Sequence, residues 1–177
     1  MTTKILHCHP ATPNDAIHSL SVEIEHYPEG GLKLRYRLVG DLAKILIPVA
    51  QPSVASDGLW RHTCFEAFAA AGTSAYHEFN FSPSGEWAAY AFEGYRARRP
   101  WTIGKPPAIE VSRSPRQLLL TARIEADDLP AGNRLHLGLT AVVESIAGGL
   151  SYWALHHPDE RPDFHDRAGF VHPLDNL

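Results

Sequence analysis

Several side chains that enzymes and binding proteins use lie within one stretch of the chain, LWRHTCFEAFAAAGTSAYHEFNFSPSGEWAAYAF. It carries Arg61, His62 and Glu66, followed by Glu78 and Asn80. Carboxylates serve as general acids, general bases and metal ligands, and with amides and guanidinium groups they also hydrogen-bond ligand hydroxyls. Each of these roles requires that the fold place the side chains on one face.

Alternation of apolar and polar residues predicts that this stretch forms antiparallel strands. In YHEFNFS, Phe79 and Phe81 share one face, while Glu78 and Asn80 share the other. A hairpin around AAGTS must then set Glu66 opposite Glu78 or Asn80. A slip of one residue would set Glu66 against Phe79 and break the core face.

The next segment, SPSGE, predicts a three-residue hairpin loop with Gly85 in the left-handed conformation. A hairpin that closes on Ser82 and Glu86 places Glu78 beside Tyr90. Three neighbouring strands then share one polar patch. Its predicted members are Glu66, Glu78, Asn80 and Tyr90, with Arg61 and His62 at the edge.

Two interpretations of this patch remain open at this point. Facing carboxylates repel each other and need an arginine, a metal, solvent or a raised pKa in compensation. An exposed, charged sheet face with nothing bound is one interpretation. The other is a ligand face, in which aromatic rings stack on a sugar and polar side chains fix its hydroxyls.

Period-two alternation continues through most of the chain and decides the predicted fold class. Strands are predicted near residues 22–26, 32–38, 43–49, 62–70, 75–82, 86–92, 108–113, 117–125, 134–145 and 150–156. A turn is predicted at PEGG, a loop over residues 93–107 and an irregular tail after the last strand. About ten short strands with little helix predict an all-β, antiparallel β-sandwich, immunoglobulin-like or jelly-roll, in a single domain over residues 1–177.

Composition and net charge limit the expected binding partners and the expected cellular location of the protein. The net charge of −4 argues against nucleic acid and acidic membranes, and no apolar run is long enough for a transmembrane helix. The start, MTTKILHCHPATPND, lacks the apolar run of a secretory signal, and two cysteines suit a reducing compartment. We therefore expect a cytoplasmic protein, whose oligomeric state stays open.

Three segments resemble the DOMON-like, family-nine carbohydrate-binding-module proteins of bacteria. They are LWRHTCFEAFAA, YHEFNFSPSGEWAAYAFEGYR and YWALHHPDERPDFH, and the resemblance spans residues 20–172. It implies a β-sandwich that binds a ligand rather than catalyses a reaction, and the ligands of the wider superfamily are sugars or a b-type haem. By this resemblance Trp60, Trp101 and Trp153 are candidates for ring stacking. The polar candidates are Arg61, Glu66, Glu78, Asn80 and His156.

Histidines and the single methionine bear on metal and haem binding. His62, His157 and His165 are candidate ligands of a divalent metal, calcium included, although their spacing matches no standard zinc pattern. Haem often uses a methionine ligand, and the only methionine is Met1, which argues against haem. No cofactor is predicted.

A non-catalytic domain that binds a small ligand, most simply a carbohydrate, is the function that these observations favour. The chain contains no GxSxG, HExxH, Walker or Rossmann pattern. Two alternatives remain: a metal-dependent enzyme built from the histidines and carboxylates, and a protein-interaction module without a small ligand.

Overall fold

The computed structural model describes residues 1–27, 30–72 and 74–175, and its regular structure is almost entirely β-strand. Helical segments among these residues are three-residue 3₁₀ turns in the connections. The described strands are β1 (Thr2–Cys8), β2 (Ile17–His26), β3 (Leu32–Gly40), β4 (Cys64–Ala70), β5 (Tyr76–Phe81), β6 (Trp87–Gly94), β7 (Ala97–Arg99), β8 (Ala108–Ser114), β9 (Gln117–Ile124), β10 (Arg134–Glu144), β11 (Leu150–Ala154) and β12 (His172–Asp175).

Strand β1 links two antiparallel layers. Residues Thr2 to Leu6 pair with β2, and His7 and Cys8 pair with β11. The first sheet has the order β1-β2-β3-β9-β8, and the second has the order β7-β6-β5-β4-β10-β11-β1, with β12 also paired to β10. The predicted all-β, antiparallel fold is confirmed, with twelve strands in the described residues where about ten were expected.

The main core lies between the two sheets. LKLRYRL in β3 turns Leu32, Leu34, Tyr36 and Leu38 inward, each fully buried, as its alternation predicts. The Tyr36 ring lies 5.0 Å from that of Phe65 in the facing sheet. The Tyr36 hydroxyl donates a 2.8 Å hydrogen bond to the backbone carbonyl of Glu66, which fixes β4 against β3.

A second apolar cluster covers the opposite face of the second sheet. Phe68 and Tyr76 on this face contact Phe170 of the C-terminal segment, and Tyr76 stacks on Phe92 at 4.7 Å. Every residue of β4 and β5 is therefore buried. The interpretation of this face as an exposed, charged sheet face is wrong, because the C-terminal segment and the loop before β4 lie over it.

The predicted strand over residues 43–49 is also wrong. Residues Leu42–Lys44 form a 3₁₀ turn, closed by the Lys44 backbone N–H on the Asp41 carbonyl. Only Ile45 forms a β-bridge there, with Ser145. The predicted PEGG turn includes residues 28 and 29, and the AAGTS hairpin includes residue 73, all of which lie outside the described residues.

Close packing at the end of β3 gives a first testable prediction. A Cβ at Gly40 would lie 2.2 Å from the backbone oxygen of Ala16, so Gly40→Ala must displace backbone. We expect this variant to lose about 1–3 kcal/mol in the free energy of unfolding, measured by urea denaturation. Gly94→Ala is the matched control, because its Cβ would meet nothing within 4 Å. Equal stabilities of the two variants would contradict this packing.

Candidate functional site

The register of β4, β5 and β6 places the polar residues together. Glu66 pairs with Asn80, and Glu78 pairs with Tyr90, which confirms the predicted registers. The loop between β5 and β6 closes with a 3.0 Å bond from the Ser82 N–H to the Glu86 carbonyl, and Gly85 has a φ of 94°. The four polar side chains thus share the outer face of the second sheet.

A pocket of about 650 Å³ lies over this outer face. Its floor is formed by side chains that the strands present outward: Glu66, Glu78, Tyr90, Phe92 and Val142. One side is the loop before β4, with Trp60 and Arg61. The remaining sides come from the β6–β7 region (Arg96, Arg98), from β11 (Leu150, Tyr152) and from the C-terminal segment (Pro162, Phe164, His165).

Five of the predicted ligand-binding residues line this pocket: Trp60, Arg61, Glu66, Glu78 and Tyr90. A sixth, Asn80, is completely buried beneath it. Its Nδ2 donates to Glu78 Oε1 at 2.7 Å, so it orients that carboxyl rather than facing the pocket.

Three predicted residues do not line the pocket. Trp153 is buried in the core between the sheets, because the alternation of β11 turns its neighbour Tyr152 outward instead. Trp101 packs on His77, with ring centroids 4.3 Å apart, and lines a smaller pocket beyond β6. His156 is exposed elsewhere on the surface.

Glu66 is the most isolated carboxyl of the pocket floor. It is only 2% exposed, its Oε1 has no hydrogen-bond partner in the described structure, and its Oε2 accepts a 3.4 Å bond from Thr140. Desolvation raises the pKa of Glu66 well above its usual value, and the nearby Glu78 raises it further. Both effects favour the neutral acid, which offers an O–H donor as well as acceptor oxygens.

Glu78 faces His165 of the C-terminal segment, which is itself hydrogen-bonded to Tyr76 of β5. The Tyr76 hydroxyl accepts from the Arg96 N–H at 3.1 Å and forms a 2.8 Å hydrogen bond with His165 Nδ1. Nε2 of the same ring lies 3.7 Å from Glu78 Oε2. Burial raises the pKa of Glu78 to about 7, and burial lowers that of His165 to about 4.

Two charged residues, Asp57 and Arg98, hold the Tyr90 ring on the aromatic side of the pocket. Trp60 meets Tyr90 edge to face, with ring centroids 6.0 Å apart. The Tyr90 hydroxyl donates to Asp57, and the Arg98 guanidinium lies 3.7 Å from the centre of the Tyr90 ring. This cation–π contact keeps the arginine beside the pocket and fixes the ring against which a ligand would pack.

Comparison with solved structures finds the same architecture in another protein. A "putative carbohydrate-binding protein" from Bacteroides uniformis aligns with a TM-score of 0.73 and 17% sequence identity, over 99% of this chain and 86% of that one. The two proteins share a fold. No family model matches the chain, and no curated protein matches it.

The metal candidates lie in three separate environments. His62 pairs with Glu144 at 2.8 Å, His157 bonds the His7 carbonyl at 2.8 Å, and His165 bonds Tyr76. Among residues 1–27, 30–72 and 74–175, no group of three or more His, Cys, Asp or Glu side chains is arranged to hold a metal ion. Nor does any helix in these ranges have the length and apolarity to cross a membrane.

Several pocket residues were not among the predicted ones. Tyr152 could have been found from the alternation of β11, in which Tyr152 and Trp153 must face opposite sides. Arg96 and Arg98 lie in a region predicted as a loop, which carries no periodic signal. Phe164 and Pro162 lie in the C-terminal segment, whose place over the sheet depends on contacts distant in sequence.

Proposed function

We propose that this protein is a non-catalytic binding domain and that its ligand is a saccharide held in the pocket over the second sheet. The observation that carries the proposal is the buried Glu66 carboxyl, which lines the pocket and has an oxygen without a hydrogen-bond partner in the described structure. An unpaired buried polar atom is costly, and a ligand hydroxyl would satisfy it.

The composition of the pocket supports a saccharide in particular. Sugars present C–H groups that pack on aromatic rings and hydroxyls that need paired donors and acceptors. Trp60, Tyr90 and Tyr152 supply rings, while Glu66 and Glu78 supply carboxyl groups. The volume of about 650 Å³ is within the usual range for small-ligand sites. The fold shared with the Bacteroides protein is consistent with this ligand class.

A thermal-shift screen against mono- and oligosaccharides tests the proposal. A ligand at a hundred times its dissociation constant adds about 2.7 kcal/mol to the free energy of unfolding. We expect a saturable rise in Tm with at least one saccharide. No rise with any saccharide at millimolar concentration would contradict the proposal.

The Trp60→Ala variant tests whether the saccharide binds in this pocket. Loss of its ring should weaken saccharide binding about tenfold or more, because ring stacking contributes about 0.5–1.5 kcal/mol beyond the area that it buries. Ile146→Ala is the control, since Ile146 is also an exposed apolar residue but does not line the pocket. Equal affinities of the two variants, measured by calorimetric titration, would place the ligand elsewhere.

Prolonged incubation of the protein with oligosaccharides tests the non-catalytic assignment. Glu66 and Glu78 are two buried carboxyls in one pocket, and glycosidases use a pair of carboxyls as acid and nucleophile. We expect oligosaccharides to be recovered intact after prolonged incubation. Release of new reducing ends that Glu66→Gln abolishes would contradict this assignment.

A further inference from the structure

The ionised side chains that line the pocket are mainly cationic, although the chain as a whole has a net charge of −4. Three arginines surround it: Arg61, Arg96 and Arg98. Among the described residues, the carboxyls of the lining are Glu66 and Glu78, and both are almost completely buried. The ionised side chains of the lining therefore have a charge opposite in sign to the net charge of the whole chain.

Two of these arginines are held in place by acids that stand outside the pocket lining. Arg96 Nη2 lies 2.8 Å from Asp163, and Asp163 also accepts from the Tyr95 hydroxyl at 2.5 Å. Arg98 Nη2 lies 3.8 Å from Asp57, which accepts from Tyr90. These acids position the guanidinium groups without occupying the pocket, so the remaining N–H donors stay available to a ligand.

Arg61 is the arginine of the lining that has no such acid. Within the described parts of the chain, its guanidinium forms no ion pair. It is exposed and stands beside Trp60, the ring proposed to stack on the sugar. A planar guanidinium presents a fork of donors that matches the paired oxygens of an oxyanion.

We propose that the ligand is an acidic saccharide, whose oxyanion pairs with Arg61 while its hydroxyls bond the Glu66 carboxyl on the floor. This inference rests on the proposed saccharide function and names its ligand class. The oxyanion is a carboxylate, a sulfate ester or a phosphate ester. Burial of Glu66 and Glu78 supports it, since burial disfavours the carboxylate forms that would repel an anion.

Matched pairs of sugars test the inference by calorimetric titration of the wild-type protein. The probes are galacturonate, galactose 6-sulfate and galactose 6-phosphate with galactose as their neutral parent, and the corresponding glucose series. We expect at least one acidic sugar to bind about tenfold tighter than its parent, since a hydrogen bond to a charged group is stronger than one between neutral groups. The three acidic arms identify which oxyanion is recognised. The preference should fall in 0.5 M salt.

Arg61→Gln removes the proposed ion pair and keeps a neutral, shorter polar side chain. It should abolish the acidic preference, so that the acidic sugar and its neutral parent bind this variant with equal affinity. Arg113→Gln, an exposed arginine on β8 in the other sheet, is the matched control and should keep the preference.

The outcomes separate the two proposals. Neutral sugars that bind as tightly as acidic ones would overturn the acidic ligand class and leave saccharide binding intact. An acidic preference that survives in Arg61→Gln would overturn the role of Arg61. Failure of every sugar to bind would overturn both proposals.

Discussion

Glu78→Gln is expected to stabilise the protein by an amount that grows with pH, reaching on the order of 3 kcal/mol above pH 7. Glu78 is 4% exposed, and its burial raises its pKa from 4.5 in the unfolded chain to about 7. Between these values the folded protein keeps a proton that the unfolded chain releases. The stability that this proton contributes is complete below pH 4.5 and is lost as pH rises through 7.

Glutamine does not ionise, so the variant lacks this loss, while its side-chain oxygen can still accept from Asn80. The difference in free energy of unfolding between variant and wild type should therefore increase from pH 4.5 to 7 and then level off. Urea denaturation at several pH values measures it. The charged and polar groups that act on Glu78 are Asn80, Arg98, Arg96, Asp57, Glu66 and His165.

Glu110→Gln provides the control for this series. Glu110 is exposed on β8, in the sheet that does not carry the pocket, so its replacement should leave stability nearly unchanged at every pH. A Glu78→Gln difference that is equally flat would show that Glu78 is ionised in the folded protein at neutral pH. It would also remove the reason for expecting burial to suppress the negative charge of the carboxyls on the pocket floor.

Phe65→Ala is expected to cost about 3–5 kcal/mol in the free energy of unfolding, the usual range for a buried phenylalanine. Phe65 is fully buried between the sheets, and its ring packs on that of Tyr36. The effect is a large part of the total stability of an ordinary domain. Glu66 follows on the same strand, so this core face also supports the pocket floor.

Val111→Ala is the matched control for the core substitution. Val111 is 39% exposed on β8, so its truncation should change stability by less than about 0.5 kcal/mol. A loss below about 1 kcal/mol for Phe65→Ala would contradict the position of Phe65 in a close-packed core. The midpoint and slope of urea denaturation curves measure both variants.

Strands that alternate between apolar residues facing the main core and polar residues on the opposite face were predictable from the sequence. LKLRYRL and YHEFNFS alternate strictly, and a period of two leaves one register that buries the apolar set. For this reason the amino-acid pattern predicted that Glu66 pairs with Glu78 or Asn80 and that Glu78 pairs with Tyr90, and the structure has Asn80 opposite Glu66.

Three strands with few buried side chains, β1, β7 and β12, were not predicted. β7 consists of Ala97–Arg99, three exposed residues without an apolar face. β12 contains Pro173, a residue that normally argues against a strand, and it pairs at one end of β10. β1 exposes the side chains of Thr2 to Ile5.

The residues that form the pocket floor were predictable from the sequence, whereas most of those that form its sides were not. The floor belongs to neighbouring strands, where spacing along the chain determines which side chains are adjacent. The sides depend on the C-terminal segment, which brings Phe164 and His165 over β4 and β5. One of the two interpretations left the patch exposed, whereas in the structure it is buried, and this burial raises the pKa of Glu66 and Glu78.

The position of a bound saccharide tests the central claim most directly. We would determine a crystal structure of the protein soaked with the saccharide that raises Tm most in the screen. The account predicts a sugar ring beside Trp60 and Tyr90, with a hydroxyl within hydrogen-bonding distance of the Glu66 carboxyl. A saccharide bound elsewhere on the surface, with the pocket over the second sheet unoccupied, would contradict it.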